Sequence, residues 1–339
     1  MASDRALLIA AGGGIGDTLL AGVVAHALHA RYEHVDALVL PAHRTIPQHD
    51  PAIERVHIMA SPLPTGEDLR DQGYAAAVVT WANIDTALVP AIAQIPVRVG
   101  QARRLYSRLF TERVIVRSER GDRTTHWTQI LLDYARAIGC DDPVARPAFV
   151  PAEEDRASAE TLLGMHGVAG DFALLHPTRG LSAQRDRWPA EGFIALARRL
   201  RERDGLPLLV TGAPADAALA KTIAEAAGAI SIAGDTTLGT YAALGERARY
   251  VVAMDSGPMH VAAAVGAPTV GIFALQSDEP DRWAPLGART RVVRAVYPCP
   301  PGHRKETCPD FACVRFLDIG AIVAAIDGVT QPPTERPPG

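Results

Sequence analysis

Residues 250–260 read Tyr250-Val251-Val252-Ala253-Met254-Asp255-Ser256-Gly257-Pro258-Met259-His260, a short apolar run that passes directly into an acid, a hydroxyl, a glycine and a proline. Ser256 suits a helix N-cap and Pro258 suits the first helical turn, so a strand over residues 250–254 is predicted to feed a helix over residues 259–265. The first N–H groups of such a helix lack partners within it and attract phosphate. Gly257 lets a ligand come close to the backbone, and Asp255 and His260 flank that position, where they can bond hydroxyls or handle protons. The same residues also fit an ordinary strand–turn–helix in which Ser256 only caps and His260 is only satisfied.

At 339 residues the chain is long for one core, and two domains are expected. A hydrophobic content of 48% with 21% charged residues marks a soluble globular protein, and the net charge of -4 gives no general attraction to nucleic acid. The start of the chain lacks the basic, long apolar pattern of a signal peptide, so a cytoplasmic location is expected. No apolar run reaches membrane-spanning length, which leaves peripheral contact at the inner face of the membrane as an option. Cys299, Cys308 and Cys313 cluster with His303, a ligand set that zinc or iron accepts, but their spacing matches no paired-cysteine finger. Reduced, partly buried thiols are the expectation, and no metal is assigned.

Apolar runs alternate with helical patterns through the first half. Strands are expected at residues 6–11, 35–40, 56–59 and 75–80, and helices at 18–31, 67–72 and 126–138. A proline-rich stretch over residues 141–151 is read as a linker. The alternation then restarts, with strands at 172–176, 207–211, 230–232, 250–254 and 269–273 and helices at 153–165, 190–204, 216–227, 238–247 and 259–265. The domains are therefore placed at 1–150 and 151–330, with 331–339 as a disordered tail. Two parallel sheets with crossover helices are expected to leave a cleft between them, lined by loops at the carboxyl ends of the strands.

Gly12-Gly13-Gly14-Ile15-Gly16-Asp17 lies between the first strand and the first helix. It is not a dinucleotide fingerprint, because Asp17 stands where the third glycine would fall, and no phosphate-loop lysine follows. Asp17 is either a general base facing the ligand or the N-cap of a helix starting at Thr18. After the next buried strand run come His176-Pro177-Thr178-Arg179-Gly180 and then Arg185, Arg187, Trp188 and Pro189. Their arginines either neutralise a diphosphate or form a solvated basic loop. No Asp-x-Asp pair is present to hold a divalent cation. Arg98, Arg103, Arg104 and Arg108 form a second basic group that either faces an anionic ligand or is a surface patch.

Taken in order, these elements resemble glycosyltransferase family 9, the bacterial lipopolysaccharide heptosyltransferases, over about Leu7 to Ile326. The strongest stretch is Asp255 to Ala264, continuing through Gly266, Pro268 and Phe273 to Pro285-Leu286-Gly287. Gly14-Ile15-Gly16-Asp17, Trp188-Pro189, Thr211-Gly212-Ala213-Pro214 and Ala233-Gly234 support it. The resemblance implies an α/β chain of the GT-B class, two Rossmann-like doubly wound domains facing across a cleft, with the acceptor on the N-terminal half and a nucleotide sugar on the C-terminal half. By position, Asp17 matches the proposed catalytic base, and Asp255, Ser256, Gly257 and His260 match the loop that holds the donor. Thr178 matches a phosphate-binding hydroxyl and Asp216 lies near the acid that meets the ribose. Arg185 and Arg187 would contact the donor, and Gly16, Arg103 and Arg104 the acceptor.

Two departures stand out. The family's lysine two residues before Trp-Pro is replaced by Asp186, and the first helix has Gly22-Val23-Val24 where a proline is usual. The implied reaction is inverting transfer of a sugar, heptose from ADP-heptose, to a hydroxyl on a glycan or other acceptor, without metal or other cofactor. A sugar-nucleotide epimerase or hydrolase of the same fold, and a non-catalytic nucleotide-sugar-binding protein, are the rival readings.

Overall fold

The computed structural model describes residues 4–178, 188–300 and 308–331. Two compact units part between Val150 and Pro151.

In unit 1, strands β1 (Arg5–Ala10), β2 (His34–Val39), β3 (Val56–Ile58), β4 (Tyr74–Val79), β5 (Val97–Gln101) and β6 (Glu112–Val114) form one sheet in the order β3-β2-β1-β4-β5-β6. Every pairing is parallel. The central strands read as continuous Val, Leu, Ile and Ala because parallel strands are covered on both faces. Leu7, Ile9, Ala77 and Val79 are fully buried, and Phe110 closes the same core from beyond β5. The helices are α1 (Ile15–Leu28), α2 (Thr45–Gln48), α3 (Pro62–Arg70), α4 (Ile84–Ile92) and α5 (Trp127–Arg136).

Unit 2 repeats the plan. Strands β7 (Ala173–His176), β8 (Leu208–Val210), β9 (Ile230–Ser231), β10 (Tyr250–Met254), β11 (Thr269–Phe273) and β12 (Thr290–Arg294) are ordered β12-β11-β10-β7-β8-β9, again all parallel. Its helices are α6 (Glu153–Met165), α7 (Ala190–Asp204), α8 (Ala217–Ala227), α9 (Leu238–Arg247), α10 (Gly257–Ala264), α11 (Pro280–Trp283) and α12 (Ile319–Thr330). Counted within its own unit, each sheet has the strand order 3-2-1-4-5-6 of a doubly wound Rossmann fold. The order reverses between β1 and β4 in unit 1, and between β7 and β10 in unit 2. Ligands in such sheets bind beyond the carboxyl ends of the strands at that reversal.

Several sequence expectations change. Helix α1 starts at Ile15 rather than Thr18, with Gly14 as N-cap, so Asp17 is the third helical residue and not the cap. The missing proline on that helix also has a local reason. A Cβ at Gly22 would stand 2.5 Å from Asp50 Oδ2, so only glycine admits this carboxylate. Asp50 in turn pairs with His26 at 3.0 Å. The stretch read as a linker packs onto unit 1: Phe149 is buried and stacks on His49 with 4.6 Å between ring centroids, and Val150 N–H donates to His49 O. Strands β5, β6 and β12 and helices α2, α4, α11 and α12 were not anticipated.

Candidate donor and acceptor sites

At the reversal in unit 1, β1 runs into a glycine turn whose geometry is set by Asp17. Gly13 has φ +67, and a Cβ there would fall 2.6 Å from Asp17 Oδ2, so the turn requires glycine. The Gly14 N–H donates to Asp17 Oδ2 at 2.7 Å, tying the carboxylate back over the helix start. Burial pushes the Asp17 pKa up, while the Gly14 N–H and the nearby His43 pull it down, and the net direction is upward. A carboxylate with raised proton affinity suits a general base. Gly16 lies in the first turn of the same helix and is partly exposed.

The strands on either side of β1 bring further groups to this edge. β2 leads through a short turn, Pro41–His43, to His43, whose Nδ1 is 2.8 Å from Thr18 Oγ1. β4 leads to Trp81, whose ring packs against Trp127 at 6.2 Å between centroids. His43 and Trp81 were missed from sequence because neither belongs to a recognisable motif; the usable signal was their place just after an apolar strand run. Of the arginines, Arg103 and Arg104 follow β5 on the same sheet edge, and Arg103 is exposed with φ 64. Arg104 pairs with Glu119 at 2.8 Å. Arg98 is spent on the carbonyls of Leu109 and Ile95, and Arg108 donates to Leu105 O, so these two serve the local fold.

At the reversal in unit 2, β7 ends at His176 and β10 at Met254. His176 is buried, with Nδ1 2.9 Å from Thr211 Oγ1 and Nε2 3.3 Å from Thr178 Oγ1. Burial pushes its pKa down to about 4, so the imidazole is neutral and serves to fix two threonine hydroxyls. Thr178 is itself buried at the strand's carboxyl end. Across the reversal, Asp255, Ser256 and Gly257 are partly exposed while His260 is buried on the first turn of α10. Ser256 occupies the N-cap position, yet its hydroxyl donates to Met254 O at 3.0 Å instead of capping the helix. No side-chain cap therefore stands over the helix start; Pro258 has no N–H and the Met259 N–H is 3.1 Å from Ser256 O, which leaves the Gly257 N–H for a ligand. Asp216 closes a short turn, Pro214–Asp216, six residues after β8, and is the N-cap of α8, also without a side-chain cap bond. Asp186, Arg185 and Arg187 lie outside the described residues.

The cysteines pack as thiols against the core of unit 2. Cys313 is buried and accepts from Gln276 N–H at 3.5 Å, and Cys308 accepts from Phe311 N–H at 3.2 Å. Burial and the neighbouring Cys313 raise the pKa of Cys299. Among the described residues no group of three or more His, Cys, Asp or Glu could hold a metal ion; His303 lies outside them. No described helix is long and apolar enough to cross a membrane.

Comparison with known proteins agrees with this layout. The family model for glycosyltransferase family 9 (heptosyltransferase) matches residues 64–310. A lipopolysaccharide heptosyltransferase 2 from Salmonella typhimurium is 26% identical over 318 residues, covering 83% of this chain and 86% of that protein. Its Escherichia coli counterpart is 24% identical over 308 residues, with the same coverage of 83% and 86%. Among solved structures, a family 9 glycosyltransferase from Veillonella parvula superposes with TM-score 0.81 at 19% identity, covering 96% of this chain and 97% of that one. The Escherichia coli ADP-heptose lipopolysaccharide heptosyltransferase II gives TM-score 0.78 at 20% identity, covering 96% and 98%, so the fold is shared although most residues differ. With a model match over most of its length and the doubly wound fold in both halves, the chain belongs to glycosyltransferase family 9, the heptosyltransferase family.

Proposed function

We propose that the protein transfers a sugar, heptose from ADP-heptose, to an acceptor hydroxyl with inversion at the anomeric carbon. The observation that carries this reading is the placement of Asp17, at the sheet reversal of unit 1 with a raised pKa. Asp17 takes the proton of the acceptor hydroxyl as the oxygen forms its bond to the anomeric carbon. The bond from that carbon to the diphosphate breaks on the opposite face, and its electron pair leaves with the nucleoside diphosphate. The N-terminus of α10 receives this negative charge through the Gly257 N–H and the helix dipole, with Arg185 or Arg187 adding charge.

Asp255, Ser256, Gly257 and His260 would then hold the donor sugar and diphosphate, Thr178 a phosphate oxygen and Asp216 the ribose. Gly16, Arg103 and Arg104 would face the acceptor, which the two arginines suit if it is anionic. Helix dipole and arginine supply the charge stabilisation for which other sugar transferases use a divalent cation, so the reaction is read as metal-independent. The matched relatives named lipopolysaccharide heptosyltransferase 2 support heptose as the sugar and a lipopolysaccharide as the acceptor class. A place in the cytoplasm, at the inner face of the membrane, belongs to the same reading.

The test is ADP release from ADP-heptose with a panel of core oligosaccharides. Asp17→Asn should cut turnover by about a hundredfold or more, the usual contribution of a general base, while donor affinity stays near that of the parent. Turnover within a few fold of the parent would remove Asp17 from the chemistry.

A further inference from the structure

Trp81 has no part in the transfer as described so far. It follows β4, and the crevice in which a doubly wound sheet takes its ligand opens between the loops leaving β1 and β4. Asp17 comes with the first of these loops and Trp81 with the second. The loops touch, since a Cβ at Gly12 would stand 2.9 Å from Trp81 Cβ and 3.5 Å from its Cγ. Glycine there lets the indole stand against the turn that wraps Asp17. The backbone beneath it is fastened: Trp81 O accepts from the Thr86 hydroxyl at 3.1 Å, and Ala82 O accepts from the Tyr106 hydroxyl at 2.5 Å and from Gln101 Nε2 at 3.3 Å. Trp127, the first residue of α5, leans on its ring. Even so, Trp81 and Ile15 stay partly exposed and Ile84 is 51% exposed, an apolar surface beside a carboxylate. Trp81 Nε1 is buried and has no hydrogen-bond partner among the described residues. Phenylalanine would spare the fold that stranded N–H, so what tryptophan adds at this edge is ring area.

We propose that the Trp81 ring is the platform on which a sugar ring of the acceptor stacks, with one of that sugar's hydroxyls turned to Asp17. This rests on unit 1 being the acceptor half, and it narrows the acceptor to a hydroxyl carried by a sugar. A pyranose presents an apolar face of C–H groups and a rim of hydroxyls. The indole face is electron-rich and attracts those C–H groups, and stacking takes apolar area of both rings out of water. The rim is left for polar partners. An aromatic wall beside a few placed polar groups is a common way for a small-molecule site to fix orientation. Here the wall grips the ring and the carboxylate selects the hydroxyl, so the two loops at the reversal divide the work: Trp81 binds and Asp17 takes the proton.

Saturation-transfer NMR with the panel of core oligosaccharides, on the full chain, reads the contact without turnover. With the parent, saturation should concentrate on the C–H protons of one face of one sugar, and those protons should move upfield, as protons over an aromatic ring do. Trp81→Phe keeps a smaller aromatic face and should raise KM for the oligosaccharide a few fold. Trp81→Ala should raise it about tenfold or more and abolish the upfield shift. Affinity for ADP, by calorimetry, should stay within about twofold of the parent in both, because the lesion touches only the acceptor. Thermal unfolding confirms that each variant is folded, and if Trp81→Ala is not, the KM of Trp81→Phe decides. Oligosaccharide binding in the folded variants equal to that of the parent would overturn the proposal, as would a matching loss of ADP affinity, which would make Trp81 a support of the fold. A parent that binds ADP but no oligosaccharide would sink the acceptor reading of unit 1 and this proposal together, whereas a binding parent with indifferent variants sinks the proposal alone.

Discussion

At the scale of single residues, the acid of Gly-Ile-Gly-Asp could be picked out from sequence, but its exact setting could not. Glycine is a poor helix former, so the helix was placed after the glycines, at Thr18. The structure begins α1 at Ile15 because the Asp17 carboxylate reaches back to the Gly14 N–H and offsets the glycines' cost. His43 escaped notice because its partner Thr18 is 25 positions away, a contact only the sheet order creates. The tightest constraint in this turn is Gly13. With φ +67 and a Cβ position 2.6 Å from Asp17 Oδ2, alanine would meet both backbone strain and the Asp17 carboxylate. Gly13→Ala should therefore cost about 1–2 kcal/mol of stability and displace Asp17, so that turnover falls well beyond any loss of donor affinity. Urea unfolding and steady-state kinetics check this; unchanged kinetics would mean that Asp17 need not sit where this turn holds it.

At the scale of elements, the central apolar strands and the edge strands β3 and β9 were legible, whereas β5, β6 and β12, each interrupted by arginine, were not. β10 is apolar throughout and β11 is so after Thr269, and both were placed residue for residue, as were α6, α7 and α9. β12 carries Arg291 and Arg294 at the sheet edge and β5 carries Arg98, so neither shows an unbroken apolar run. Helix α4 holds Pro90 inside nine residues, which hides its periodicity. At the amino ends of the unit 1 strands, away from Asp17, a charged network ties elements together. Asp36 on β2 is fully buried and accepts from Arg5 on β1 at 2.9 Å, from Arg55 at 2.8 Å and from the Tyr74 hydroxyl on β4 at 2.6 Å. Burial alone would raise the Asp36 pKa, but the His57 imidazole 3.9 Å away and hydrogen bonds from Tyr74, Arg55 and Arg5 hold it well below the usual carboxylate range. A folded-state pKa depressed in this way adds stability above the unfolded value, and that contribution fades as pH falls below about 4. Asp36→Asn should cost about 2 kcal/mol or more at pH 7, since it leaves buried donors without their charged acceptor. Urea unfolding at pH 7 and pH 3.5 should show the gap between parent and variant narrowing at the lower pH. An equal gap at both would place the cost in packing rather than charge.

At the scale of the whole molecule, two units with the same strand order and separate cores carry different chemistry at the same topological position. In unit 1 the reversal presents a carboxylate. In unit 2 it presents a helix N-terminus, two threonines fixed by a neutral histidine, and His260. The sequence carried this division because each half restarts its own alternation of apolar runs and helices. What it withheld was which side chains meet at each edge, a consequence of strand order rather than of local pattern. If the units divide the labour as proposed, a lesion in unit 2 should show in donor affinity and one in unit 1 in turnover. His260 is buried on the first turn of α10, where loss of its ring removes a polar group from the donor site. His260→Ala should weaken ADP-heptose binding about tenfold, roughly 1.4 kcal/mol, while Asp17→Asn leaves the same affinity near the parent value. Calorimetric titration of both full-length variants with ADP-heptose separates the two, with thermal unfolding to confirm that each is folded. Parent-like affinity in folded His260→Ala would move the donor away from α10, whereas a matching loss in Asp17→Asn would mean that the base also holds the donor and that the labour is not divided between the units.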